Sequence, residues 1–279
     1  MPYPPKRPEK SYYEHHVTTF IHRDDRAHWK IGSKFVLKER DKYSGEFEAE
    51  NLRFVKENTS IPVPTVVEEW KEDGGHYFLL TKSTPGTPLK AVWPTMTDDE
   101  KNKVAKQTAD YMLQLRELQG PGIHSLRGEP LGDTDLFGGK ATGVSISSDD
   151  ELWTEMEKLL INYLNIPKQI RQKIREKMPP AAPYTFTNQG LFIHNVLVKD
   201  GNVVGISDWE SGGYCPVWWE TAACLSCFDL KDEKEWSKLL LKHMPRHDDA
   251  VEFIADYFEC FLPPERRGKR WSRLVANLD

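Results

Sequence analysis

An asparagine and an aspartate flank one predicted β-hairpin, and their side-chain oxygens are of the kind that holds a hard divalent cation. Asn195 comes directly before the apolar run 196–198, and Asp208 follows the apolar run 203–206. An Asp200-Gly201 pair separates the two runs and is a strong hairpin signal. The hairpin predicts that Asn195 and Asp208 lie close together. Both residue types are also common in ordinary turns at strand ends, so a purely structural turn role remains the alternative for Asn195 and Asp208.

The segments around these two residues form a pair of motifs. The first reads Phe186-Thr187-Asn188-Gln189-Gly190-Leu191-Phe192-Ile193-His194-Asn195, and the second reads Ile206-Ser207-Asp208-Trp209-Glu210. The pair closely resembles the aminoglycoside phosphotransferase (choline kinase-like) family, whose motifs read His-Gly-Asp-Leu-x-x-x-Asn and Ile-Asp-Trp-Glu. The resemblance extends in order over roughly residues 30 to 262. It implies that Asn195 and Asp208 hold magnesium.

The family's catalytic aspartate is missing from the first motif. Asn188, Gln189 and Gly190 stand where the family has His-Gly-Asp, and a glycine has no side chain that could accept a proton. A general base is typically worth ~10²–10⁴-fold in rate. His194 and Asn188 are the loop residues that could take over catalysis, and an ordinary surface or core role is the alternative for His194.

ATP binding is a further implication of the resemblance. Lys38, near the end of a predicted strand, matches the family's phosphate-binding lysine, and a carboxylate on the next helix should hold it in place. We predict Glu50 for this partner, with Glu48 as the competing choice; Lys38 and Glu50 could instead be solvated surface charges. The expected phosphate loop, 22–33, contains a single glycine, and the predicted hinge Thr81-Lys82-Ser83 lacks the usual acidic or aromatic residue, so ATP and magnesium are expected without a complete fingerprint.

The element pattern predicts a small lobe followed by a larger one. A strand at 34–38, a helix at 46–58 and a hairpin at 64–80 predict a β-rich N-lobe over residues 1–82. A Thr97–Glu100 capping box and later apolar stripes predict a mainly helical C-lobe over residues 83–279. The segment 121–143, rich in Gly and Asp, reads as a long surface loop. The fold class is therefore α+β, and the resemblance implies the two-lobed protein kinase-like fold.

An acceptor pocket should lie between the catalytic loop and the helices that begin near residue 218. We expect four side chains to line it: Phe192, Glu210, Trp218 and Trp219. Aromatic residues at helical spacing are more often core residues, which is the alternative for the two tryptophans.

Composition favours a small-molecule partner. The 279 residues are 38% hydrophobic and 29% charged with a net charge of -5, which argues against a nucleic-acid or anionic-membrane surface. No apolar run is long enough to span a bilayer and the first residues lack a signal-peptide core, so we expect a cytoplasmic protein. The Cys224-x-x-Cys227 pair lies in an apolar helical stretch and is expected to be structural rather than metal-binding.

Three functions remain open from the sequence. The first is a small-molecule phosphotransferase whose catalytic base is altered. The second is a non-catalytic pseudokinase that binds a ligand. The third is a repurposed enzyme that performs cyclisation or proton-transfer chemistry on a hydrophobic metabolite, because the loop is apolar around Phe192 and the C-terminal half is rich in aromatic residues.

Overall fold

An antiparallel five-stranded sheet and one helix make up the first part of the protein in the computed structural model, which describes residues 16–41, 47–132, 134–139, 143–226 and 231–276. The strand order is β1-β2-β3-β5-β4. The elements are β1 (Val17–His22), β2 (Arg26–Ile31), β3 (Phe35–Arg40), α1 (Glu48–Asn58), β4 (Val66–Lys71) and β5 (Tyr77–Lys82).

The register of β2 against β3 gives one face of this sheet a concentrated positive charge. Arg26 pairs with Arg40 and His28 pairs with Lys38. Paired residues of an antiparallel sheet share a face, and residues two apart on one strand do as well. Arg26, Lys38 and Arg40 therefore bring three positive charges to the same face, and His28 lies among them.

Helix α1 forms because its apolar residues recur at helical spacing. Ala49, Leu52 and Val55 are at most 1% exposed. Glu48 and Glu50 lie in its first turn, where the helix dipole favours negative charge.

The rest of the chain is mainly helical, with two small three-stranded sheets ordered β10-β9-β6 and β11-β8-β7. The helices are α2 (Leu89–Val92), α3 (Asp98–Leu115), α4 (Asp149–Asn162), α5 (Lys168–Arg175), α6 (Trp219–Ser226), α7 (Lys231–Leu241), α8 (Asp248–Glu259) and α9 (Lys269–Val275). The strands are β6 (Thr87–Pro88), β7 (Gln119–Gly120), β8 (Tyr184–Thr187), β9 (Val196–Lys199), β10 (Asn202–Ile206) and β11 (Gly213–Pro216). The predicted capping box is present, since Thr97 and Glu100 exchange hydrogen bonds at the start of α3.

Two apolar cores support the site. The first runs without interruption from Leu52 and Leu79 to Val196, Trp209 and Trp236, and so joins the five-stranded sheet to the predicted hairpin and to α7. The second lies among α4, α5, α6 and α8. The hairpin itself is formed by β9 and β10, with Lys199 opposite Asn202.

Described parts of the segment 121–143 form β-bridges and pack into the core, whereas the sequence predicts a long surface loop. Ile123 forms a bridge with Ile146, and His124 forms one with Tyr214. Leu136 and Phe137, in a short 3-10 helix over Asp135–Phe137, are at most 2% exposed because they pack into the second core. Residues 134–138 are thus held against the helical part of the protein, which fixes the position of Asp135.

Cys215, Cys224 and Cys260 are buried, while Cys227 lies outside the described residues. Within the described ranges, none of the helices has both the length and the apolar character that crossing a membrane requires.

Candidate functional site

The β9–β10 hairpin brings Asn195 and Asp208 together, as the sequence predicts. The Asn195 Nδ2 atom lies 3.3 Å from Asp208 Oδ2 and donates a hydrogen bond of 2.8 Å to the Gly190 carbonyl oxygen. Asp208 Oδ1 is buried and accepts no hydrogen bond from any described residue. An unpaired buried carboxylate oxygen is unfavourable, and a bound cation would remove this penalty.

The side-chain oxygens of Asn195 and Asp208 fit a magnesium ion better than a zinc ion. Within the residues that the structure describes, no group of three or more His, Cys, Asp and Glu side chains could hold a metal. Magnesium commonly uses one or two protein carboxylates and completes its shell with water and phosphate oxygens. The donor set of Asn195 and Asp208 therefore suits that ion, and metal binding remains a prediction.

Asn188 positions the loop rather than offering a group for chemistry. Its Nδ2 donates to the Asp208 carbonyl oxygen at 3.1 Å, and its Oδ1 accepts from the Gly190 amide at 3.0 Å. The side chain is 0% exposed, and its backbone amide donates to Glu220 Oε2 at 2.8 Å. Since both polar ends of the amide are used within the protein, the catalytic role predicted for Asn188 is not favoured.

Gly190 has room for a side chain. A Cβ atom built at this position would have its nearest neighbours at 3.5 Å, namely Asn188 Oδ1 and Asn195 Nδ2, which is ordinary van der Waals distance. The positive-φ residue of the loop is instead Gln189, with φ of 67°. The backbone thus does not require a glycine at 190.

The Gln189 side chain connects three parts of the site. Its Oε1 accepts hydrogen bonds from Thr134 Oγ1 at 2.5 Å and Trp219 Nε1 at 2.9 Å. Its Nε2 donates to the Ser211 carbonyl oxygen at 2.5 Å. These bonds hold the catalytic loop against α6 and against the segment that carries Asp135.

Lys38 pairs with Glu48, so the prediction that Glu50 is its partner is wrong. Lys38 Nζ lies 2.5 Å from Glu48 Oε1, and the two side chains are 12% and 3% exposed. Glu50 points elsewhere and forms a 2.7 Å ion pair with Arg127 near the surface. Glu48 faces the sheet because it lies four and seven residues before Leu52 and Val55, on the buried side of α1.

Sequence reasoning missed Asn51 on the same helix. Its Nδ2 donates to the carbonyl oxygens of Trp209 at 2.8 Å and Gly212 at 3.0 Å. Helix α1 is thereby tied to the segment directly after Asp208. A buried polar residue in an otherwise apolar helix pattern is the signal that could have identified it.

Glu210 links the segment after Asp208 to the basic face of the five-stranded sheet. Its Oε1 accepts from Arg26 Nη1 at 2.8 Å, and its Oε2 accepts from Arg40 Nε at 2.7 Å. Burial raises the pKa of Glu210, but the charges of Arg40, Arg26 and Lys38 outweigh burial and lower that pKa to about 2. Burial, assisted by Lys38 and Arg40, also lowers the pKa of His28 to about 2, so His28 is neutral beside Arg40.

A cavity of about 140 Å³ opens at the loop 188–194, which corresponds to the first of the two motifs. Its described lining comprises Asp135, Asn188, Gln189, Gly190, Phe192, Asp208, Glu210 and Ser211. A narrower space next to it shares Asp135, Gln189 and Phe192 and reaches Glu220 and Cys224. Phe192 and Glu210 thus lie on a wall of this cavity, and their contact with a substrate stays a prediction.

His194, Trp218 and Trp219 do not line this cavity among the described residues. His194 is exposed and stacks on the Phe192 ring with centroids 5.4 Å apart, which does not favour it as a replacement base. Trp218 and Trp219 are at most 2% exposed and belong to the second core, so the prediction that they form the pocket wall is wrong. Trp218 Nε1 donates a hydrogen bond to the Pro180 carbonyl oxygen at 2.9 Å, and Trp219 Nε1 donates one to Gln189 Oε1 at 2.9 Å, so both indole rings are anchored inside the protein.

Asp135 lines the cavity although no sequence pattern pointed to it. It lies in a segment without periodicity, far in sequence from both motifs. Burial by surrounding atoms raises the pKa of its carboxyl group, although the residue stays accessible to solvent at the cavity edge.

Glu220 lies beneath the loop as a buried carboxyl group. Burial raises its pKa to about 7, against the opposing effect of hydrogen bonds from the backbone amides of Asn188 and Gln189 and of the Arg116 charge. Its Oε1 has no hydrogen-bond partner among the described residues. Glu220 therefore supports the loop by accepting hydrogen bonds from two of its backbone amides.

A larger surface cleft of about 490 Å³ lies beside the hairpin turn and is lined by residues such as Gly86, Glu100 and Asp200. Its described lining includes none of the predicted site residues, so its size does not connect it with the motifs.

A family model described as the phosphotransferase enzyme family matches residues 18–253. The fold is similar to that of solved aminoglycoside phosphotransferases. APH(2'')-IIa, in a complex with streptomycin and ATP, is 17% identical with a TM-score of 0.62, and the match covers 93% of this chain and 90% of that one. ADP-bound APH(2'')-Ib is 15% identical with a TM-score of 0.63, covering 93% and 92%. Aminoglycoside 2'-phosphotransferase-IIIa, in a complex with GDP, is 12% identical with a TM-score of 0.61, covering 88% and 83%.

These similarities confirm the predicted α+β, kinase-like fold. A comparison with curated proteins finds no match to this chain.

Proposed function

This chain belongs to the phosphotransferase enzyme family, and on that premise we propose that it binds magnesium and ATP beside Asn195 and Asp208 and transfers the γ-phosphoryl group to a hydroxyl of a small molecule. The observation that carries the proposal is the buried, unpartnered Asp208 Oδ1 next to Asn195. A bound cation would give this buried carboxylate oxygen the partner that the described residues do not provide.

Each of the retained groups has a role in this reaction. Bound magnesium would neutralise charge on the phosphates, and Asn195 and Asp208 are the residues that would hold it. Lys38 supplies a positive charge for the phosphates, and Glu48 keeps its ammonium group in place at 2.5 Å. Asn51 and Asn188 hold the backbone around Asp208, so the ligands are positioned before the nucleotide arrives.

The acceptor is proposed to be a hydroxylated small molecule. The cavity of about 140 Å³ presents the Phe192 ring together with polar groups, which suits part of such a molecule. The solved relative that contains streptomycin and ATP supports this class, and the net charge of -5 does not favour a nucleic-acid acceptor.

Titration calorimetry with ATP, with and without Mg²⁺, tests the proposal. We expect magnesium-dependent binding by the parent protein and its loss in Asp208→Asn. Glu48→Gln should weaken ATP about tenfold, as the loss of one charge-assisted hydrogen bond predicts. Glu50→Gln is the matched control, because it lies on the same helix but pairs with Arg127, and it should bind ATP like the parent.

Absence of magnesium-dependent ATP or GTP binding in the parent would contradict the proposal. It would favour the repurposed cleft, with chemistry on a hydrophobic metabolite. Binding without any ADP release would instead favour the second candidate function, a non-catalytic pseudokinase. The observation that favours this candidate is Gly190, which leaves the loop without a carboxylate.

A further inference from the structure

The cavity at the catalytic loop contains three carboxylates, and two of them are already engaged. Glu210 binds the guanidinium groups of Arg26 and Arg40. Asp208 lies beside Asn195 at the predicted metal position. The third carboxylate is Asp135, to which the described part of the chain provides neither a hydrogen bond nor an ion pair.

The position of Asp135 is fixed relative to the loop. Thr134 Oγ1 accepts a hydrogen bond from the Leu136 amide at 3.3 Å and donates one to Gln189 Oε1 at 2.5 Å. The next two residues, Leu136 and Phe137, anchor the short helix in the second core. Asp135 is therefore held at the cavity edge by the residues that precede and follow it in the sequence.

Asp135 borders both spaces at the loop. It lines the 140 Å³ cavity together with Gly190 and Asp208, and it lines the narrower space together with Phe192. The 140 Å³ cavity is large enough to admit an acceptor hydroxyl group beside Gly190. Asp208, at the predicted metal position, and Asp135 both line the cavity that this group would enter.

We propose that Asp135 is the general base of this protein and replaces the carboxylate that is missing at position 190. The inference rests on the proposed phosphoryl-transfer function. The acceptor oxygen forms a bond to the γ-phosphorus while the bond from that phosphorus to the β–γ bridging oxygen breaks, and ADP leaves with the electron pair. The hydroxyl proton passes to an Asp135 oxygen and then to water, to which the carboxyl group remains accessible.

The desolvation of Asp135 also favours its role as the base. Surrounding atoms raise the pKa of its carboxyl group, which makes the carboxylate a stronger proton acceptor than a fully hydrated aspartate.

The test follows ADP release from ATP and Mg²⁺, with water as the acceptor, in the full chain. Asp135→Asn should bind ATP with unchanged affinity and release ADP at least ~10-fold more slowly. Glu129→Gln is the matched control, since Glu129 is an exposed carboxylate in the same segment and is absent from the cavity lining, and it should keep the parent rate. Thermal denaturation shows whether each variant is folded.

A double variant separates catalysis from structure. Asp135→Asn combined with Gly190→Asp should recover at least the parent rate, because position 190 accepts a side chain and would return a carboxylate to the same cavity. A purely structural role of Asp135 would not be rescued from position 190.

The outcomes distinguish this inference from the proposed function. A parent protein that binds no ATP contradicts the proposed function itself. A parent that binds ATP and hydrolyses it, with Asp135→Asn equally fast, overturns the role of Asp135 alone. Slow turnover that Gly190→Asp fails to rescue in a folded double variant also overturns it, and so does ATP binding without measurable ADP release in the parent.

Discussion

Replacing Glu220 by glutamine should change how the stability of the protein depends on pH. Glu220 is buried, and its pKa rises from an ordinary 4.5 to about 7 in the folded protein because of burial. The unfolded chain loses this proton near pH 4.5, whereas the folded protein keeps it until about pH 7. Since the folded state binds more protons in that window, the free energy of unfolding falls as the pH rises from 4.5 to 7.

The size of the effect follows from the two pKa values. The difference between 4.5 and about 7, at about 1.4 kcal/mol for each pKa unit, corresponds to about 3 kcal/mol. The contribution is complete below pH 4.5 and is lost above pH 7. Glu220→Gln cannot titrate, so the variant should lack this part of the profile.

Urea denaturation between pH 4.5 and 8 measures the difference. The free energy of unfolding of Glu220→Gln relative to the parent should rise by about 3 kcal/mol across this window. Glu68→Gln replaces an exposed glutamate and provides the control, for which the relative value should stay constant. Parallel profiles for Glu220→Gln and the parent would show that Glu220 is not held protonated beneath the loop.

Two further predictions concern the groups around the cavity. Glu210→Gln removes the carboxylate that pairs with the Arg40 guanidinium group, which is 2% exposed. The free energy of unfolding, measured with urea, should fall by about 3 kcal/mol. A loss below about 1 kcal/mol would show that the ion pair is not buried. Gln189→Gly relieves a left-handed residue but leaves Trp219 Nε1 and Thr134 Oγ1 without their acceptor, so we expect a net loss of about 1–3 kcal/mol, and a more stable variant in the same assay would contradict this balance.

Local patterns in the sequence were sufficient for the hairpin and for the pair that it brings together. The Asp200-Gly201 turn predicts the pairing of β9 with β10, and this pairing, which shifts at a bulge between Val203 and Gly205, places Asn195 near Asp208. The choice between Glu48 and Glu50 could also have been made from the sequence. Glu48 shares the helical face of Leu52 and Val55, which are at most 1% exposed, whereas Glu50 does not.

The remaining parts of the site depend on contacts between distant residues. Gln189 meets Thr134 and Trp219, which are 55 and 30 residues away, and no local pattern encodes such contacts. The direction of Trp218 and Trp219 depends on the packing of α6 against α8, which only the assembled second core determines. The location of Asp135 could not be predicted for the same reason, since it follows from the burial of Leu136 and Phe137.

The two departures at residues 189 and 190 are physically connected. The family has a glycine at the position of Gln189, and the φ of 67° at this residue is a reason for one, because left-handed backbone costs a side-chain-bearing residue about 1–2 kcal/mol. The glutamine offsets that strain with hydrogen bonds to Thr134, Trp219 and Ser211. The bond to Thr134 fixes the residue next to Asp135. The change at 189 therefore secures the segment that carries Asp135 to the cavity, while the change at 190 removes the family's carboxylate from the same cavity.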